Sequence, residues 1–264
     1  MSTAVSLEQV RVRRGSKTLL DVDQWSVARG QAVALIGVNG AGKTTLLKTC
    51  CGLIKPDRGC VLLNRIDWAS LTPWQRSIQR RRLGYVPQRA EFAAELPLTV
   101  TEVVTMGRVA IKGLGRRLRN EDHDRVLHWI ERLGLIPQAR QTFRSLSGGE
   151  QQKVMIARAM VQEPDILMLD EPCANLDIGW KSRITSLIES LHRETQITLI
   201  MVCHEMSLIP ACCHEVLLLD QGRAVAQGPL EQVLHAPVME RVYGCRLERV
   251  AVNGRHYVVG GQVV

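Results

Sequence analysis

No run in this sequence is long and apolar enough to cross a bilayer. A spanning helix takes about 20 largely apolar residues, and the apolar runs here, such as "ITLIMV" and "EVLLLD", are far shorter. The N-terminus, "MSTAVSLEQV", lacks the basic segment and apolar block of a secretory leader. The expectation is a soluble chain; for work at a membrane, another subunit would have to span it. Aromatic residues make up only 4% of the chain, a poor supply for the stacking platforms of single-strand nucleic-acid binders, so no nucleic-acid partner is expected. No CxxC pair occurs among the eight cysteines, and the chain is too long for a small disulfide-stapled scaffold. Cys203, His204, Cys212, Cys213 and His214 lie close in sequence, but their spacing fits no common zinc pattern. Free, mostly buried thiols are expected. Internal repeats and low-complexity linkers are also missing.

What is present is ordinary globular material. With 264 residues, 45% hydrophobic and 23% charged, the chain can bury one large core or two small ones, and wholesale disorder is excluded. The formal charge is +8. The basic residues gather in "WQRSIQRRR" (Arg76, Arg80, Arg81, Arg82) and "KGLGRRLR" (Lys112, Arg116, Arg117, Arg119). These are solvated faces, or a face turned towards phospholipid headgroups or an acidic partner.

The patterning predicts an α/β fold. "AVALIG", "DILMLD", "ITLIMV" and "EVLLLD" are near-continuous apolar segments, as parallel strands covered on both faces require. Helical candidates follow the first three at 43–52, about 179–194 and about 206–212. The order implies a mostly parallel sheet. The first thirty residues alternate instead, in "VSLEQVRVR" and "DQWSVA" with a turn near Gly15, which predicts an N-terminal antiparallel β-subdomain. From about 90 to 162 the pattern becomes helical. Thr99 and Glu102 form a capping box, and "EDHDRVLHWIERLGL" carries an apolar stripe ending near Gly134. The tail from 236 to 264 shows weak strand patterning and no recognisable chemistry.

Two segments carry phosphate chemistry. "GVNGAGKT", Gly37 to Thr44, fits G-x-x-x-x-G-K-[ST] after an apolar strand and at a helix start. Its glycines let backbone N–H groups wrap phosphates, and the helix start adds partial positive charge. Lys43 is placed to reach the β- and γ-phosphates and Thr44 to ligate Mg²⁺; Gly37, Asn39, Gly40, Gly42 and Thr45 complete the cradle. "ILMLDE" ends a buried strand in two acids. Asp170 is the candidate Mg²⁺ partner and Glu171 the group that polarises an attacking water. Together they define a P-loop nucleotide triphosphatase.

"LSGGEQQKV", from Leu146, narrows the class. Ser147 and Glu150 have capping-box spacing, which accounts for both without any ligand. A cap does not require Gly148 and Gly149, however, and glycine early in a helix costs up to about 1 kcal/mol relative to alanine. Bare backbone there favours the approach of an anion. The stretch resembles the signature motif of the ATP-binding cassette (ABC) ATPases, and it precedes "ILMLDE" as in that family. "YVPQ" supplies Gln88, similar to the family's Q-loop glutamine, which senses Mg²⁺ and water; "ANLD" ends in Asp177, similar to the D-loop aspartate; "VCHE" supplies His204, similar to the switch histidine at the γ-phosphate. The similarity runs from about 5 to 235.

The resemblance implies an ABC ATPase domain over 1–235, with a core of about 1–89 and 163–235, a helical signature subdomain of about 90–162, and a C-terminal extension over 236–264. It implies ATP and Mg²⁺ as ligands. It also implies a head-to-tail dimer of two copies, in which Ser147, Gly149 and Asp177 serve the neighbour's nucleotide. The sequence departs from the family's common pattern at Arg14, where many relatives carry an adenine-stacking aromatic, at Cys173 after "DEP", and in "ANLD" itself; none of these removes a catalytic group. "LTVTEVVTMGR", the basic stretch after it and "ERVYGCRLERVAVNGR" resemble the ATPases of metal and metal-chelate importers. That implies separate transmembrane permease subunits, an extracytoplasmic substrate-binding protein, and a peripheral place on the cytoplasmic side of the inner membrane. The alternative is a soluble ABC ATPase of an assembly (iron–sulfur type) or repair complex. A catalytically dead regulatory cassette is disfavoured by Lys43, Asp170, Glu171 and His204 all being present.

Overall fold

The computed structural model describes residues 2–88, 96–113, 115–235, 237–252 and 255–260. The predicted N-terminal alternation forms strands β1 (Thr3–Arg14) and β2 (Lys17–Ala28), paired antiparallel. Val5, Leu7, Val10 and Val12 of β1 and Leu20, Val22, Trp25 and Val27 of β2 are buried. Neighbouring polar residues face water, as a half-covered sheet requires. Strands β4 (Arg58–Leu63) and β5 (Ile66–Asp67) extend this antiparallel half.

The parallel half is built from β3 (Ala32–Ile36), β6 (Leu83–Val86), β7 (Ile166–Asp170), β8 (Thr198–Val202) and β9 (Glu215–Asp220). Strand β10 (Arg223–Pro229) runs antiparallel to β9 and parallel to β2, joining the halves into one ten-stranded sheet of order β5-β4-β1-β2-β10-β9-β3-β8-β7-β6. Every residue of β3, β7 and β8 is buried. In β3, Val33 and Leu35 pack into one core and Ala32, Ala34 and Ile36 into the other. Continuous apolar runs are what two covered faces demand. The order β3-β8-β7-β6 matters for function, because it brings the loops after all four strands to one sheet edge.

Helix α1 (Lys43–Cys50) follows β3 directly, and α2 (Pro73–Arg80) starts at a Thr72/Gln75 capping box. Between β6 and β7 lie α3 (Val100–Lys112), α4 (Asn120–Arg132) and α5 (Gly148–Met160). The Thr99/Glu102 box caps α3 as expected, with Glu102 accepting from the Thr99 amide at 2.7 Å. A buried ion pair that the sequence pattern did not announce fastens α3 to α4. Arg108 meets Asp122 at 2.8 Å, donates to the Val161 carbonyl, and shares Asp122 with Lys112.

Helix α6 (Ile178–Thr195) matches the expected 179–194. The helix expected at about 206–212 is a single 3-10 turn, Met206–Leu208. Pro210 accounts for the difference. It has no N–H to donate, and it holds Ile209 in an extended conformation at ψ 119°. After β10 come α7 (Leu230–His235), α8 (Val238–Tyr243) and a hairpin of β11 (Leu247–Val252) with β12 (Arg255–Gly260). Met239, Val242 and Leu247 join the same core as α3 to α6. The boundaries drawn near 90 and at 236 fall on residues outside those described. No described helix is long and apolar enough to cross a membrane.

Candidate active site

The P-loop links β3 to α1, and its geometry follows from backbone that only glycine tolerates. Gly37 has φ +143°, and a Cβ there would lie 2.1 Å from the Leu219 carbonyl oxygen of β9. Gly42 enters α1 at φ +100°. The loop borders an open cavity of about 610 Å³ lined by Lys17, Thr18, Leu19, Asn39 to Thr45, Glu171 and Gln221. Lys43 is 5% exposed and donates to the Gly37 carbonyl at 2.8 Å and the Val38 carbonyl at 3.0 Å. Burial lowers its pKa, against the opposing charges of Glu171 and Asp170. It is a desolvated cation held by its own loop.

Strand β7 delivers Asp170 and Glu171 beside this loop. Asp170 is 2% exposed; it accepts from the Thr44 hydroxyl at 2.9 Å and from the Tyr85 hydroxyl at 3.4 Å. Desolvation raises its pKa, the Thr44 bond works against that, and the Glu171 charge adds to it. A buried carboxylate disfavoured in its charged form is one that a bound cation would stabilise. The hydroxyl, carboxylate and amide oxygens of Thr44, Asp170 and Gln88 are the hard donors Mg²⁺ takes, so these residues fit the ion.

Glu171 sits at φ +49°, a left-handed conformation rare for a residue with a side chain and costing on the order of 1–3 kcal/mol. It accepts from the Gln88 side-chain amide at 2.6 Å. His204, at the end of β8, meets Asn39 Oδ1 through Nε2 at 2.8 Å, so Nε2 carries the proton in this contact. Gln88, Glu171 and His204 therefore stand around the P-loop on three adjacent strand ends.

The remaining predicted residues lie elsewhere. Ser147 caps α5, with its hydroxyl donating to Glu150 at 2.7 Å and accepting from the Glu150 amide at 3.4 Å. Asp177 caps α6 by accepting from the Trp180 amide at 2.9 Å. Both are exposed, and neither they nor Gly149 line the cavity at Lys43. Arg14 does not line it either.

Sequence reasoning missed Tyr85, whose hydroxyl meets Asp170, although it opens the "YVPQ" that yielded Gln88. It also missed Lys17, Thr18, Leu19 and Gln221, which no motif marks. All eight cysteines are unpaired, five of them buried. The first basic run is largely engaged within the chain: Arg80 donates to the Gly52 carbonyl, Arg82 pairs with Asp165, and Arg76 donates to the Trp68 carbonyl.

A buried P-loop lysine, a strand-end acid pair and a histidine on neighbouring parallel strands define a P-loop ATPase with a cassette architecture. Residues 20–174 match the ABC transporter family model, and the chain belongs to that family. It is similar to the manganese transport system ATP-binding protein MntB of Bacillus subtilis, 34% identical over 243 residues, covering 92% of this chain and 93% of the relative. Zinc import ATP-binding protein ZnuC of Pseudomonas fluorescens is 33% identical over 258 residues, covering 97% and 89%. Among solved structures, a dimeric bacterial ABC transporter cassette superposes with a TM-score of 0.75 at 27% identity, covering 86% of this chain and 98% of that one.

Proposed function

We propose that this chain is the ATP-hydrolysing subunit of an importer that moves a metal ion or metal chelate through separate permease subunits. The observation that carries the catalytic part is the convergence of Lys43, Asp170, Glu171, Gln88 and His204 at one sheet edge, joined by the Thr44–Asp170, Gln88–Glu171 and His204–Asn39 hydrogen bonds. The cargo class follows the manganese and zinc transport named for the relatives. An extracytoplasmic substrate-binding protein belongs to the same proposal, as does a peripheral place on the cytoplasmic face through the permease. So does the division into a core of about 1–89 and 163–235, a helical subdomain of about 90–162 and an extension from 236.

In the proposed mechanism, Gly37 to Thr45 bind the phosphates by backbone N–H groups, and Lys43 directs N–H donors to β- and γ-phosphate oxygens. Thr44, Asp170 and Gln88 would hold Mg²⁺, which supplies charge neutralisation at the phosphate oxygens. Glu171, held by Gln88, accepts a proton from the attacking water. The water oxygen bonds to the γ-phosphorus, the bond from that phosphorus to the β–γ bridging oxygen breaks, and ADP leaves. The Nε2–H of His204 turns from Asn39 to a γ-phosphate oxygen. Two chains pair head-to-tail, so that Ser147 and Gly149 of one close on the nucleotide of the other.

The segment after Gln88 carries partly exposed apolar side chains, Leu96 at 52% and Met106 at 37% exposure. They fit a permease contact. Met106→Glu should leave the rate of the isolated ATPase within about twofold, as an exposed substitution usually does, and should abolish co-purification with membrane permease and metal uptake by cells. Co-purification only with soluble partners, or uptake unaffected by Glu171→Gln, would overturn the import reading.

A further inference from the structure

The two elements proposed to meet the partner's nucleotide, the turn at Ser147 and the one at Asp177, are tied together by one side chain. Trp180 stands in the first turn of α6, and its indole lies against the backbone of Gly149 in the first turn of α5. A Cβ on Gly149 would fall 2.0 Å from Cδ2 and 2.3 Å from Cε3 of that ring. No real Cβ occupies such a position beside a rigid ring system. The glycine is therefore required by a contact within the chain, whatever it also does for a ligand. The Trp180 amide donates to Asp177 at 2.9 Å, so the residue that fills the space at Gly149 is also the one that Asp177 caps. Lys153 of α5 and Arg183 of α6 both lie over the indole, at 5.7 and 5.2 Å from the ring centre. Cations at that range are attracted by the ring face. A cation from each helix thus reinforces the same joint.

We propose that Trp180 is a positioning residue that locks the signature turn at Ser147–Gly149 to the Asp177 turn, so that both present a fixed surface to the partner's nucleotide. The requirement for glycine at 149 comes from the indole of Trp180. This rests on the head-to-tail reading above. The lock itself is a property of the single chain and is testable without dimerisation.

The test uses the full chain with Glu171→Gln, where unhydrolysed Mg-ATP should hold a dimer measurable by light scattering. Adding Trp180→Ala should weaken that dimer by about tenfold or more, the scale of a lost ring-to-backbone contact with its cation partners. Trp180→Phe should recover most of the loss, and fluorescent ATP analogues should bind each monomer as before. Gly149→Ala should abolish the dimer, and Gly149→Ala with Trp180→Ala should restore at least about tenfold over Gly149→Ala alone, because the clash is gone.

A Trp180→Ala protein that dimerises like its parent, or a double variant no better than Gly149→Ala, overturns the proposal. If the parent itself stays monomeric with Mg-ATP, the head-to-tail reading fails, and amide hydrogen exchange of the monomer then decides the lock. Trp180→Ala should speed exchange in both the Leu146–Glu150 and Asn175–Trp180 segments. Unchanged exchange in either segment overturns it.

Discussion

Replacing Lys43 by alanine probes the phosphate cradle at its most charged point. The Lys43 ammonium makes two hydrogen bonds, at 2.8 and 3.0 Å, to the carbonyls of Gly37 and Val38. Hydrogen bonds to a charged group contribute about 1.5–3 kcal/mol each. The ammonium has three N–H donors, so one is free for a phosphate oxygen, while a second phosphate contact replaces a bond the loop already makes, which offsets part of the gross attraction. The net gain on binding is then on the order of 1.5–3 kcal/mol, the difference between charge-assisted bonds to an anion and to neutral carbonyls. Lys43→Ala should accordingly raise the Kd for Mg-ATP by about 10- to 100-fold.

The pH dependence supplies a second signature. Burial lowers the Lys43 pKa below its ordinary value of 10.5, so the ammonium loses its proton earlier in an alkaline titration than an exposed lysine does. Wild-type affinity should decline as pH rises through that folded value, and Lys43→Ala should stay flat over the same window. Titration of a fluorescent ATP analogue with Mg²⁺ measures both. An affinity changed by less than about threefold, or an alkaline decline that survives the substitution, would refute the assignment of Lys43.

Further outcomes follow from the buried ion pair and from His204. Burial alone would raise the Asp122 pKa, but hydrogen bonds from the Arg119 amide, Arg108 and Lys112 outweigh it and hold the group at about 2. Because this lies below the unfolded value of about 3.9, the stabilisation is present above pH about 4 and is lost as pH falls towards 2. Denaturant titrations across that range should show a larger loss in wild type than in Asp122→Asn, and Arg108→Met should cost about 3 kcal/mol at neutral pH. His204→Ala removes the proton donor facing Asn39 and should lower turnover by about 10²-fold with ATP affinity little changed; an unaltered turnover number in a phosphate-release assay would remove His204 from the site.

Much of this site was legible because phosphate chemistry constrains residue types strictly. Gly37 and Gly42 hold conformations that only glycine adopts easily, Lys43 must be a cation, and Asp170 and Glu171 must be acids at a strand end. Local rules also read well at Thr99 and Glu102, where a capping box depends on residues three apart. What stayed hidden depends on contacts distant in sequence. Arg108 and Asp122 look like surface charges until α3 and α4 pack and bury both. The indole at Trp180 explains Gly149 only once α5 and α6 meet. The helix expected near 206–212 stops for a nearer reason, since Pro210 holds Ile209 extended after a single 3-10 turn. Lys17, Thr18 and Leu19 reach the cavity because β2 lies beside the β9–β10 hairpin, a pairing no local pattern announces.

The central claim is that this chain hydrolyses ATP with Glu171 taking the proton from the attacking water. Steady-state phosphate release by the purified chain, compared between wild type and Glu171→Gln with nucleotide binding measured alongside, tests it most directly. Binding should stay within about threefold of wild type, because the cradle around Lys43 is untouched, and turnover should fall by at least about 10²-fold, the usual contribution of a positioned base. Turnover within about tenfold of wild type, with binding intact, would contradict it.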